Sequence, residues 1–216
     1  TYNLSGAVVN HSFSLNFADN LNELVSLNAG VNQYSPYSKE EFKLLRRVGQ
    51  PITVYYGYKT NGFFQNLDQI SDVDGYPRFA NSVVGPGDLR YVDRNGDGVI
   101  TEDDMYILGN PFPRYTYGLM YNMNWKGLDV QLFVQGVGKR SQMIRGEQVE
   151  PFHYGYGGTM YEHQKDFWTP TNPDARWPRL AEAGSPSNLN NYRRGSDIYL
   201  FDAAYARLKN VQLGYT

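Results

Sequence analysis

The sequence predicts an all-β chain of antiparallel strands and hairpins, some long enough to cross a bilayer, separated by two long polar connections. Three observations support this. Between Tyr115 and Trp125 the odd positions Tyr115, Tyr117, Leu119, Tyr121, Met123 and Trp125 are apolar or aromatic. Thr116, Gly118, Asn122 and Asn124 are small or polar, and Met120 is the exception. A period of two over that length marks a strand with one buried face, and it suffices for a tilted strand to cross a bilayer. Next, Lys126-Gly127 ends the run, and Leu128, Val130, Leu132 and Val134 alternate with Asp129, Gln131, Phe133 and Gln135. Two alternating runs joined by two residues form a hairpin. Finally, the 216 residues include 22 glycines and 19 tyrosines. Tyrosine suits positions where one end of the ring is apolar and the other wet.

Taken in chain order, the first strand is expected at about 9–17, where Val9, His11, Phe13, Leu15 and Phe17 alternate with Asn10, Ser12, Ser14 and Asn16. A short turn at 18–20 leads into a second strand at about 21–32, carried by Val25, Leu27, Ala29 and Val31. The third and fourth strands are 115–125 and 128–137, with Tyr115 and Tyr117 at one end of the third and Trp125 at the other. The last strand is 205–216, and Arg207 and Lys209 predict a bulge near its start or an end above the lipid. Two long connections remain, about 33–113 and 138–203. Loops of that length are uncommon in compact domains and are usually functional. If the strands cross a membrane, the short turns at 18–20 and 126–127 face the periplasm and the long connections lie outside. Ile52 to Tyr58 also alternates, but parity forbids a lone crossing there, so it is placed in the first extracellular connection.

Several classes are excluded or disfavoured. Lys+Arg is 20 against Asp+Glu 22, a formal charge of −2, with no basic surplus to neutralise nucleic-acid phosphates. There are no cysteines, hence no disulfides, thiolate metal sites or cysteine nucleophiles. No apolar run approaches the roughly eighteen residues of a spanning helix. Thr1-Tyr2-Asn3-Leu4 lacks the pattern of a signal peptide, and without an initiator Met the chain reads as cut from something longer. His11 falls on the apolar parity of its strand, and His153 and His163 show no metal-ligand spacing. With no nucleophile elbow and no phosphate loop, an enzyme is not expected.

Two constellations could bind something. Asp93-Arg94-Asn95-Gly96-Asp97-Gly98-Val99-Ile100-Thr101-Glu102-Asp103-Asp104 follows the twelve-residue calcium loop. Asp93, Asn95 and Asp97 would supply side-chain oxygens, Val99 a carbonyl and Asp104 the closing carboxylate, so structural Ca2+ is the expected cofactor. Asp104 is shorter than the usual Glu, which weakens bidentate closure. In the second connection, Tyr154, Tyr156, Trp168 and Trp177 are candidate ligand or partner contacts, since aromatic faces stack on sugars and pack against peptides. The competing reading is that they fill a small core of that connection. Periodicity alone also leaves open a soluble, secreted glycan-binding β-domain with a calcium-stabilised loop, because alternating strands build sandwiches too.

A resemblance decides between these. Gly49-Gln50-Pro51 with Tyr56-Gly57-Tyr58-Lys59-Thr60-Asn61-Gly62-Phe63-Phe64-Gln65 resembles a recurring stretch of the SusC/RagA-type TonB-linked outer-membrane transporters. So does Pro86-Gly87-Asp88-Leu89-Arg90-Tyr91 running into the Asp93 loop and Leu108-Gly109-Asn110-Pro111. The hairpin from Tyr117 to Gly136, the run Trp168 to Leu180 and the stretch Tyr205 to Tyr215 follow in the family's order. The resemblance implies part of a 22-stranded transmembrane β-barrel in the bacterial outer membrane, importing oligosaccharide or peptide. It implies a SusD-like surface lipoprotein as partner, TonB acting through an N-terminal part not present here, and outer-membrane lipid around the wall. Plug and closing strand are not among the matching blocks, so transport is expected of a longer protein.

Overall fold

The computed structural model describes residues 1–6, 8–28, 30–39, 42–71, 75–153 and 158–216. Its elements run β1 (Tyr2–Ser5), β2 (Val9–Asp19), β3 (Gln33–Lys39), β4 (Phe42–Arg47), β5 (Val54–Gly57), β6 (Thr60–Phe63), β7 (Arg78–Phe79) and β8 (Leu89–Tyr91). They continue with β9 (Val99–Ile100), β10 (Tyr106–Gly109), β11 (Tyr115–Trp125), β12 (Leu128–Gly138) and β13 (Ser141–Met143). The α-helix α1 (Pro186–Tyr192), β14 (Leu200–Asp202) and β15 (Tyr205–Tyr215) complete the chain. Two compact units result. One comprises Thr1–Glu23, Asn110–Gln142 and Asp202–Thr216, the other Leu24–Gly109 and Met143–Phe201.

The first unit is an antiparallel sheet in the order β1-β2-β11-β12-β15. Lys126 (φ 45°) and Gly127 (φ 81°) make the tight turn between β11 and β12, both central residues having the positive φ of a type I′ hairpin. β11 pairs along its whole length with β2, Tyr115 opposite Asp19 and Trp125 opposite Val9. It pairs equally fully with β12, from Tyr115–Gly138 to Trp125–Leu128. Between β12 and β15 the register slips, Phe133 facing Asn210 and Val134 facing Leu208, so Lys209 is the extra residue of a bulge. The bulge has a physical purpose. Val211, Leu213 and Tyr215 are apolar at odd positions, and the slip brings the even-numbered Leu208 onto their face while Arg207 faces Gln135.

The expected strand at 21–32 does not form. Among the described residues of that stretch no strand appears, and the backbone bonds elsewhere: Leu24 N donates to Gln50 O, Gly49 N to Leu24 O, and Val31 N to Asn28 O. Leu21 and Val25 are 77% and 81% exposed, so their alternation serves no buried face. With that strand goes the periplasmic hairpin at 18–20. Asp19 instead ends β2 opposite Tyr115, at the edge opposite the Lys126-Gly127 turn. The missing member of the sheet is β1, which pairs Tyr2–Ser5 with Asn10–Phe13 of β2.

The second unit also departs from two separate loops, since both connections build one core. Tyr55, Tyr58, Phe63, Phe79, Leu89, Tyr91, Ile100 and Met105 come from the first; Met143, Val149, Trp168, Trp177, Tyr192, Ile198 and Tyr199 come from the second. Its main sheet has the order β10-β5-β4-β3. β3 is an edge strand of that sheet, which is where Pro36 is tolerated, and its pairing with β4 is irregular between Tyr34 and Tyr37.

Candidate functional site

The register of the first unit sorts its side chains into two faces. One face carries the rows Val9–Trp125–Leu128–Tyr215, Leu4–His11–Met123–Val130–Leu213 and Tyr2–Phe13–Tyr121–Leu132–Val211. Leu15–Leu119–Val134–Leu208 and Phe17–Tyr117–Gly136–Ala206 continue it. The opposite face carries Asn10–Asn124–Asp129–Gly214, Ser12–Asn122–Gln131–Gln212 and Asn16–Gly118–Gln135–Arg207, with the mixed row Ser14–Met120–Phe133–Asn210 between the last two. Its amides bond across strands: Gln131 Nε2 donates to Asn122 Oδ1 at 3.0 Å, and Asn124 Nδ2 to Asp129 Oδ1 at 2.7 Å.

The apolar face has sharp borders. At one end Arg114 forms a two-pronged pair with Asp19, at 3.0 and 3.2 Å. At the other end Lys126 lies over the Trp125 ring, 5.9 Å from its centroid. Rings gather at both borders, Phe17 with Tyr115 (centroids 5.8 Å apart) at the first and Trp125 with Tyr215 in one row at the second. Tyr117 lies across Gly136, where any Cβ would strike its ring, and its hydroxyl donates to Tyr205 O at 3.2 Å. The glycine is thus required by its neighbour. From Tyr115 to Trp125 the strand runs about 34 Å, which at a tilt near 40° gives a band about 26 Å tall. Both long excursions, after Asp19 and after Gly138, leave from the Arg114 end, and the tight turn lies at the other.

In the second unit the Asp93 loop is held by its own backbone. Asp93 Oδ1 and Oδ2 accept from Gly96 N (2.7 Å) and Gly98 N (2.8 Å), Asn95 Oδ1 from Asp97 N (3.0 Å), and Asp97 Oδ1 from Val99 N (2.9 Å). Asp104 is fully buried and accepts from Arg94 N at 2.8 Å and Thr101 N at 2.7 Å. Burial pushes its carboxyl up, but the N–H groups of Thr101, Arg94 and Asn95 outweigh that and hold it below the usual carboxylate value. Among the described residues no group of three or more His, Cys, Asp or Glu is placed to hold a metal ion. Asp104 is occupied as a cap, while Asn95 and Asp97 stay exposed.

Of the aromatic candidates, Tyr154 and Tyr156 lie outside the described residues. Trp168 and Trp177 are core residues, 7% and 5% exposed, so most of each ring packs inside the unit. Their indole N–H groups are spent internally, on Gln65 Oε1 and His163 O, both at 3.0 Å. Trp177 does edge a cleft of about 390 Å3 with Tyr161, His163 and Phe201.

The strongest polar feature of this unit went unread in the sequence. Asp88 is fully buried and receives Arg179 Nε (2.7 Å) and Nη2 (3.1 Å), Ser187 Oγ (2.8 Å), Asn191 Nδ2 (2.9 Å) and Gly85 N (2.7 Å). Asn191 Oδ1 accepts from Leu89 N at 2.8 Å. Beside it Gly87 has φ 89°, and a Cβ there would meet the Trp168 ring and Arg179 Cβ. Around α1, the Tyr91 and Tyr199 hydroxyls donate to Asn190 O and Asn191 O, both at 2.6 Å. Burial raises both phenols, and raises Tyr58 to about 12.

An antiparallel five-stranded sheet, open at β1 and β15, with one banded apolar face, a mainly polar opposite face and all long connections at one end has the features of a wall section of an outer-membrane β-barrel protein. No protein-family model matches the chain. It is 32% identical over 175 residues to TonB-dependent receptor P26 of Formosa agariphila, covering 78% of this chain and 16% of that protein. It is 24% identical over 204 residues to TonB-dependent receptor SusC of Bacteroides thetaiotaomicron, covering 94% and 18%. The solved RagAB peptide importer in its open-open state superposes with a TM-score of 0.64 at 20% identity, over 99% of this chain and 21% of that one, which speaks to the fold. More particularly, the chain belongs to the SusC/RagA-type TonB-dependent receptors, which are outer-membrane proteins. It spans less than a fifth of the length of the two curated relatives.

Proposed function

We propose that the chain is wall and outer connection of a nutrient importer that takes up oligosaccharide or peptide. In this reading a SusD-like surface lipoprotein is the outside partner, and TonB acts through another part of the receptor. The observation that carries it is the one-sided apolar band, bordered by rings, with both excursions leaving from the same end. The names of the relatives and the peptide importer among the solved structures support the same class. The test is uptake. Cells lacking the full-length receptor gene are expected to lose accumulation of a labelled neutral oligosaccharide or peptide pool, and loss of TonB should have the same effect. Unchanged uptake of both ligand classes would count against the importer.

Calcium is proposed as a modest brace of the Asp93 loop. The exposed side chains of Asn95 and Asp97, the half-buried Asp93 and the Val99 carbonyl are its expected ligands, with Asp104 left as a cap. Weak sites of this kind bind at about 10⁻⁴–10⁻³ M. Millimolar calcium is expected to raise the melting temperature of the receptor slightly, and Asp93→Ala with Asp97→Ala should abolish the rise. Equal melting in calcium and chelator removes the metal.

A further inference from the structure

One imidazole stands within the apolar face. His11 belongs to the row Leu4–His11–Met123–Val130–Leu213, one row inside the row that borders the tight turn. Its Nδ1 lies 2.9 Å from Tyr121 Oη, and the two rings stack with centroids 6.0 Å apart at 19°. Donor and acceptor in this pair follow the tautomer: when the Tyr121 hydroxyl donates to Nδ1, the ring proton sits on Nε2, and that is the tautomer a lipid-side acceptor would select. An N–H donor then stands among hydrocarbon and aromatic side chains. A polar group facing lipid is unfavourable unless something satisfies it, and such residues are placed for a reason.

The same face offers an acyl chain a seat. Leu4, Phe13, Leu132 and Val134 line, with His11 and Tyr121, a shallow groove of about 460 Å3. From His11 this groove leads toward the Leu15–Leu119–Val134–Leu208 row, deeper in the band. His11 itself lies only about 5 Å along the membrane normal from the Trp125 row. Lys126 adds a cation at that border. We propose that this groove is a phospholipid site. One acyl chain lies along the apolar residues, and His11 Nε2–H donates to a headgroup phosphate oxygen on the tight-turn side.

The proposal rests on the barrel reading, and the experiment separates the two. Full-length receptor is purified in non-ionic detergent, stripped of lipid, and titrated with dioctanoyl phosphatidylethanolamine, dioctanoylglycerol or inorganic phosphate. Adducts are counted by native mass spectrometry. The expected result is one saturable phospholipid per receptor, with neither dioctanoylglycerol nor phosphate alone replacing it. His11→Leu keeps the surface apolar and removes the donor, so affinity should fall about tenfold. His11→Gln, which restores an N–H, should bind more tightly than His11→Leu. Equal phospholipid binding by His11→Leu, or equal binding of dioctanoylglycerol, overturns the site; the second outcome, read on the unaltered protein, holds even if a variant fails to fold. A receptor that stays monodisperse without any detergent would instead sink the barrel itself.

Discussion

Asp88 and Asp104 show how single carboxylates close this structure, and how little of that is visible in a one-dimensional pattern. Each is buried, and each is made tolerable by donors from residues distant in sequence or across a turn. Asp104 also has a pH signature. The folded state keeps it ionised to lower pH than the unfolded chain, whose ordinary value is 3.8. Its contribution is therefore complete above that value and is lost as pH falls through the lower folded one. Asp104→Asn is expected to destabilise the receptor at neutral pH by about 1–3 kcal/mol. The gap to the unaltered protein should narrow as the pH drops from about 4 toward 2, read by denaturant unfolding at each pH. A gap independent of pH would mean that the charge has no part in the cap.

At the level of elements, the bulge at Lys209 and the Tyr117–Gly136 contact keep one face of the sheet continuous. The alternation in 115–125 and 128–134 was legible because a strand's side chains strictly change sides, and the Arg207–Lys209 discontinuity was legible as a break in that rule. Which face meets lipid gives a direct comparison between neighbours. Leu132 lies in the middle row of the apolar face, and Gln131 beside it faces Asn122 on the polar side. Leu132→Arg is expected to cost about 2–4 kcal/mol and to lower the yield of heat-modifiable, membrane-assembled receptor, whereas Gln131→Arg should leave assembly nearly unchanged. The reverse order of effects would exchange the inside and outside of the wall. The failed strand at 21–32 marks the limit of the same logic. Alternation there was real in the sequence, but no partner strand took up its hydrogen bonds, and Leu24 bonded to Gly49 and Gln50 instead.

Across the whole molecule, two stretches far apart in sequence fold as one unit, joined at Asp88, Arg179, Ser187 and Asn191. Asp88 is fully buried whereas the Arg179 side chain is 35% exposed, so losing the carboxylate removes several hydrogen bonds without stranding a buried charge, a cost of about 1–3 kcal/mol. Asp88→Ala should therefore raise amide hydrogen exchange in 186–199 as well as in 85–91, while amides of β11 and β12 stay protected. Exchange confined to 85–91 would show the two stretches to be independent. The sequence by itself determined most of the wall: β2, β11, β12 and β15, their apolar face and the tight turn follow from a local period of two, though not β1 or the absence of a strand at 21–32, and ordered motifs pointed to the receptor class. Only the tertiary structure decided that β2 pairs with β11, that both connections share one core, and that Trp168, Trp177 and Asp88 serve that core. The physical reason is range. Alternation is written in neighbouring residues, whereas a buried carboxylate and its donors are brought together by chain segments some hundred residues apart, and no local pattern records that meeting.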